Sequence, residues 1–229
     1  MGLEEFTIAS RFLTEVKIMK LDTRFTFPVL ILIILSAAFP FAADWHIPLY
    51  HGALVSDIEN GQALWLLFGA LFTFCYMKPQ TRPEGEKQFW MWAVLWWLVL
   101  LGRSTSWGRV YFPEAPHLLF RVISVVLVAG LILSLLSSSL RKEIGRRFKS
   151  SPVPVWLMAV TVVTFLISDT VEHHRLLAPL FVRDVHYADL MEELYEIPFM
   201  VGLFLVTLCL MKFDKSAQRN FAVEYQAGV

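Results

Sequence analysis

Three apolar stretches in this sequence end a turn or more before they are long enough to cross a lipid bilayer, and polar or charged residues fill each shortfall. A bilayer core takes about 20 consecutive, mostly apolar residues per helix. Phe89–Gly102 stops at Arg103, Val153–Ser168 stops at Asp169, and Ile197–Met211 is preceded by Asp189, Glu192, Glu193 and Glu196. Extending each to membrane length draws Arg103, Ser104, Thr105, Ser106, Asp169, Glu172, Glu193 and Glu196 into the rim of the bilayer. Ionisable groups at that depth are costly unless paired or wetted, so the pattern predicts side chains turned into a bundle interior.

The chain is 56% hydrophobic and 17% charged over 229 residues, which puts it among integral membrane proteins and leaves no room for a separate soluble domain. Its formal net charge of zero removes any argument for nucleic acid. The expected partners are the lipid bilayer and other membrane proteins. Cys75 and Cys209 lie near the same ends of apolar runs, so no disulfide framework is expected. The first apolar run starts near Phe25, after a long charged stretch, and Phe41-Ala42-Ala43 makes a poor cleavage site. That run reads as a retained signal anchor.

Residues 1–24 place Phe6, Ala9, Leu13 and Val16 at helical spacing, with Arg11, Lys17, Lys20 and Arg24 elsewhere, as in a cytoplasmic interfacial helix. Apolar spans follow at about 25–43, 61–77, 88–105, 118–138, 153–171 and 192–211. The expected fold is therefore all-α. It is a polytopic bundle of six transmembrane helices over 25–212, with an N-terminal amphipathic segment and a cytoplasmic tail at 213–229. With the N-terminus inside, every lysine and the cluster Arg141, Lys142, Arg146, Arg147 and Lys149 fall on the inner side. The outer side keeps only Arg103, Arg109, Arg121, Arg175 and Arg183. The positive-inside rule then puts both termini in the cytoplasm, and the short loops suit a bacterial inner membrane. All six histidines land outside.

The entry to the last span concentrates the polar residues. If it is helical throughout, His186, Asp189, Glu193 and Glu196 form one stripe with Glu192 at its margin. Such carboxylates repel one another unless arginines, shared protons or a metal ion offset them. The exit of the preceding span supplies Asp169, Glu172 and His173, joined to it by a short loop. Mixed carboxylate and imidazole ligands suit zinc, iron or manganese, with His173 and His186 as candidate metal ligands beside Asp169 and Glu193. The competing account is interfacial anchoring, since acidic residues suit helix N-termini. Arg103 is the expected counter-ion, as a clamp on Glu196 or as a head-group-binding arginine.

The run Gly102-Arg103-Ser104-Thr105-Ser106-Trp107-Gly108-Arg109, with Glu192-Glu193-x-x-Glu196 later, resembles uncharacterised bacterial multipass membrane proteins carrying a Glu-x-Ser-Trp-Gly motif. Those relatives tend to have glutamate where this chain has Ser104. The resemblance implies a fold and a location and brings no activity. Similarity to the alkaline ceramidase and adiponectin receptor superfamily stops at His, Asp and Ser near one membrane face. Three functions follow as expectations. The first is an outward-facing site for a cation, a proton or a lipid head group. The second is a metal-dependent enzyme acting on a lipid or envelope precursor, and the third is a partner protein whose polar cluster only fixes packing.

Overall fold

Prolines punctuate the apolar runs, and the computed structural model, which describes residues 20–109 and 111–227, turns the runs between them into helices. The described residues form seven α-helices. They are α1 (Phe27–Ala38), α2 (Ala53–Met77), α3 (Glu84–Ser104), α4 (His117–Leu133), α5 (Ser138–Ser150), α6 (Val155–Glu172) and α7 (Ala188–Ala227). Pro28 sits in the first turn of α1, where its missing N–H costs nothing, and Pro83, Pro116 and Pro154 immediately precede α3, α4 and α6.

Three segments are long and apolar enough to cross a membrane: His117–Leu136, Val155–Glu172 and Val185–Arg219. That is fewer than the six expected. Helix α1 is apolar but has 12 residues. Helices α2 and α3 have the length, at 25 and 21 residues, but polar residues dilute them: Asp57, Glu59, Asn60 and Gln62 in α2, and Glu84, Glu86, Lys87 and Arg103 in α3.

Most of the expected amphipathic segment, residues 1–19, lies outside the described residues. Its last part is extended, contrary to expectation: Leu21–Asp22 (β1) pairs in parallel with Val153–Pro154 (β2). Trp156 Nε1 donates to the Thr23 carbonyl at 3.2 Å and secures the same join. Helix α7 runs unbroken past residue 212, where a tail was expected, and buries Asp214.

Helix α7 is the axis of the bundle, with α1, α2 and α6 packed along it, while α3 joins α2 to α4 and α5. Two glycines set the closest approaches. A Cβ on Gly69 would lie 2.9 Å from the buried Trp97 ring, and one on Gly202 would overlap the Thr161 side chain. Leu66, Ala70, Trp97, Met200 and Phe204 form the central core, where α2, α3 and α7 meet. Buried hydroxyls do not disrupt it, because Thr73, Thr161 and Thr164 donate back to carbonyls on their own helices. Helix α4 is the outlier, with most of its apolar surface exposed, including Leu118, Val122, Val125 and Val126.

Charge separates to the two ends. Helix α5, the basic cluster between α4 and α6, is capped by Ser137 and lies against α3. Glu59, Glu172, Glu192, Glu193 and Glu196 gather at the opposite end, while Glu86 and Glu143 pair with Arg146 beside the basic cluster.

Candidate functional site

Four helix ends meet at the carboxylate-rich end of the bundle: the starts of α2 and α7 and the finishes of α3 and α6. Their proximity is recorded by two long-range contacts. Gln62 Nε2 on α2 donates to the Glu193 backbone carbonyl on α7 at 3.0 Å, and Arg103 Nη2 on α3 donates to Glu172 Oε2 on α6 at 3.4 Å. Pro198, nearly three turns into α7, has no N–H to offer the Leu194 carbonyl, and side-chain donors from α2 reach carbonyls on either side of it. Trp65 Nε1 approaches the Met200 carbonyl at 3.5 Å on the same face.

Between these ends lies a cleft of about 160 Å³. Glu59, Glu172, Glu192, Glu193 and Glu196 face it, with Arg103 as the one guanidinium and Leu66, Phe165 and Met200 closing the apolar floor. Glu193 Oε2 is buried and has no hydrogen-bond partner among the described residues. Five carboxylates against one guanidinium leave a large excess of negative charge when all are ionised. Shared protons or a bound cation offset such an excess. A cleft this small suits an ion and its hydration rather than a bulky organic group.

The expected site residues divide. Arg103, Glu172, Glu193 and Glu196 are brought together. Asp189 is exposed and lies instead beside His51 and His186, in a separate depression with Tyr50. The stripe reading failed there because the cleft admits α7 from Glu192 onward, so Glu192 belongs to it and Asp189 does not. Arg103 forms its ion pair with Glu172 rather than the expected Glu196, although Glu196 lines the same cleft.

The expected metal set is also rearranged. Ligand atoms of Asp169, Glu172 and His173 lie within 4.8 Å of one another, and neither His186 nor Glu193 joins them. His186 is held away because Asp184 caps a short turn at Val185–Tyr187, with the Asp184 carboxylate accepting from the His186 N–H. Arg175 Nη2 lies 2.9 Å from Asp169 Oδ2 and Arg103 takes Glu172. Two guanidiniums thus already oppose the carboxylates that a metal ion would need.

Glu59 and Gln62 are cleft residues that the reading of the sequence left out, and Ser104, which it drew to the bilayer rim, lines the cleft as well. Beginning the second span at 61 put Glu59 in a loop, whereas α2 starts at Ala53. The signal was present: Glu59, Gln62 and Leu66 recur at i, i+3 and i+7, and completing that span to membrane length draws them in.

Comparison with protein families, with characterised proteins and with solved structures gives no match to this chain. Fold and site together define an all-α protein with three helices long and apolar enough to cross a membrane and a glutamate-lined cleft at one end.

Proposed function

We infer that the protein is a multi-pass inner-membrane protein whose glutamate cleft binds a cation or protons in a transport or accessory role. In this reading α1, α2, α3, α4, α6 and α7 are the membrane helices, α5 lies on the cytoplasmic surface and both termini are cytoplasmic. The basic residues of α5 and the lysines near the ends of α2 and α7 favour that orientation. The polar dilution of α2 and α3 fits helices that face the cleft and one another rather than lipid.

One observation carries the functional reading. Five glutamates from three helices line a single small cleft that contains one arginine. Anchoring at an interface calls for carboxylates that reach outward, whereas Glu193 has a buried carboxylate oxygen directed inward. The cleft volume favours a small cation or protons over a lipid head group.

The test is thermal stability of the full chain in detergent, measured against sodium, potassium, calcium, manganese and zinc and across pH. Saturable stabilisation by one cation, or by acidification, is expected and should be lost in Glu193→Gln and Glu196→Gln. If every cation and every pH acts identically on the parent and both variants, the reading fails.

The metal-enzyme alternative retains one supporting observation, the convergence of Asp169, Glu172 and His173. It requires stoichiometric zinc, iron or manganese in purified protein that is lost in His173→Ala.

A further inference from the structure

The motif Gly102–Arg109 builds a second cavity, on the other side of Arg103 from the glutamate cleft. Where α3 ends, Ser106, Trp107 and Gly108 take left-handed backbone conformations in succession, with φ of 47°, 62° and 100°. Such conformations are strained at non-glycine residues and persist only where the surroundings enforce them. What enforces them here is the Trp107 ring, folded back onto Gly102, where a Cβ would lie 2.5 Å from it. The chain thereby reverses so that Arg103 before the turn and Arg109 after it border one space.

Helix α4 supplies the opposite wall. His117 and Arg121, one turn apart, face the same space, and the first turn of α4 adds the partial positive charge of a helix N-terminus. The cavity of about 600 Å³ is lined by Arg103, Ser106, Trp107, Arg109, His117 and Arg121. Its volume falls within the range of small-molecule sites, about 300–1,000 Å³, and is well above that of the glutamate cleft. Among the described residues neither Arg109 nor Arg121 has a carboxylate within ion-pair distance. Three guanidiniums bordering one cavity repel unless an anion joins them, and the planar fork of arginine matches phosphate oxygens.

We propose that this cavity binds the phosphate group of an anionic lipid, in particular a phosphomonoester head group. A lipid source is favoured over free phosphate by the neighbouring face of α4. Leu118, Val122, Val125 and Val126 expose an apolar surface along α4, with relative exposures of 68%, 49%, 59% and 63%, on which acyl chains can lie. Phosphate is held at the rim while the tail follows the helix. Arg103 stands between the two sites, paired with Glu172 on the cleft side and bordering the anion cavity on the other. Arg103 is the one residue the two sites share, and Arg109 and Arg121 do not line the glutamate cleft.

The experiment is native mass spectrometry of the full chain in neutral detergent, with phosphatidic acid, phosphatidylcholine and inorganic phosphate as probes. Phosphatidic acid is expected to bind about tenfold more tightly than phosphatidylcholine, less so as salt rises. Arg109→Gln combined with Arg121→Gln should abolish the preference, and the corresponding double lysine variant should retain part of it. Glu196→Gln should leave it unchanged, so a cleft that binds no cation does not affect the outcome. Displacement of phosphatidic acid by equimolar inorganic phosphate overturns the lipid source and leaves a free-phosphate site. Equal retention of the two lipids, or a preference that survives in the glutamine variant, overturns the site itself. Should the glutamine variant not fold, salt-independent retention by the parent chain does the same.

Discussion

Arg147 Nη2 lies 2.6 Å from Asp214 Oδ2, joining α5 to the far end of α7 through two side chains that are 4% and 7% exposed. Trp90 Nε1 on α3 donates to the same oxygen at 2.9 Å, and Arg147 Nε donates to Glu143 Oε1 at 2.8 Å. The guanidinium also stacks over the Phe89 ring, 3.9 Å from its centroid. Removing one member of a buried pair strands the other charge, which costs about 3–5 kcal/mol. Arg147→Ala and Asp214→Ala should each destabilise by about that amount, measured by thermal or chaotrope unfolding in detergent. The double variant should cost less than the sum of the two.

The same network makes stability depend on acid. Burial pushes the Glu143 carboxyl up, but the Arg146 hydrogen bond and the charges of Arg147 and Arg146 together outweigh it and hold the group below its ordinary value of 4.5. A depressed folded-state value means the stabilisation is fully present above the unfolded value and is lost as pH falls through the folded one. Melting temperature should therefore drop as pH is lowered below about 4.5, and Glu143→Gln should flatten that drop. An unchanged slope in the variant would exclude Glu143 as its source.

Arg103 and Glu172 present the opposite case. Their side chains are 57% and 34% exposed and their contact is 3.4 Å, a geometry typical of pairs worth about 0–1 kcal/mol. Arg103→Ala should change stability by no more than that. A loss of several kcal/mol would restore the structural clamp on Glu196 that the sequence suggested.

Gly202 tests the packing of α6 on α7. Gly202→Ala places a methyl group on the Thr161 side chain, and overpacking of this kind costs about 1–3 kcal/mol. Thr161→Ala should recover part of the loss in the double variant, read again by thermal unfolding. Gly145, whose added Cβ would meet nothing within 4 Å, serves as the control, and Gly145→Ala should be neutral or stabilising.

How much of this was legible beforehand differs from residue to residue. The helical class follows from the successive apolar runs along the chain, a local signal. So does the inclusion of Arg103, Glu172, Glu193 and Glu196 in helix ends, because a backbone in or near lipid continues its hydrogen-bond ladder past the last apolar residue. Glu59 was missed by truncating a span. Arg147 and Asp214 were missed for a different reason. Each sits in a run of charged residues that reads as solvated, and only the docking of α5 against α3 and α7 removes them from water.

The sequence by itself determined the helical class and which stretches concentrate basic residues or glutamates, since both depend on residue type and spacing along one chain. Only the tertiary structure decided that Arg103 pairs with Glu172 rather than Glu196, that Asp189 and His186 stand apart from the cleft, and that Arg109 and Arg121 share a cavity. Those outcomes turn on helix rotation and on a left-handed turn held by Trp107 against Gly102, and side-chain direction between distant segments is set by packing.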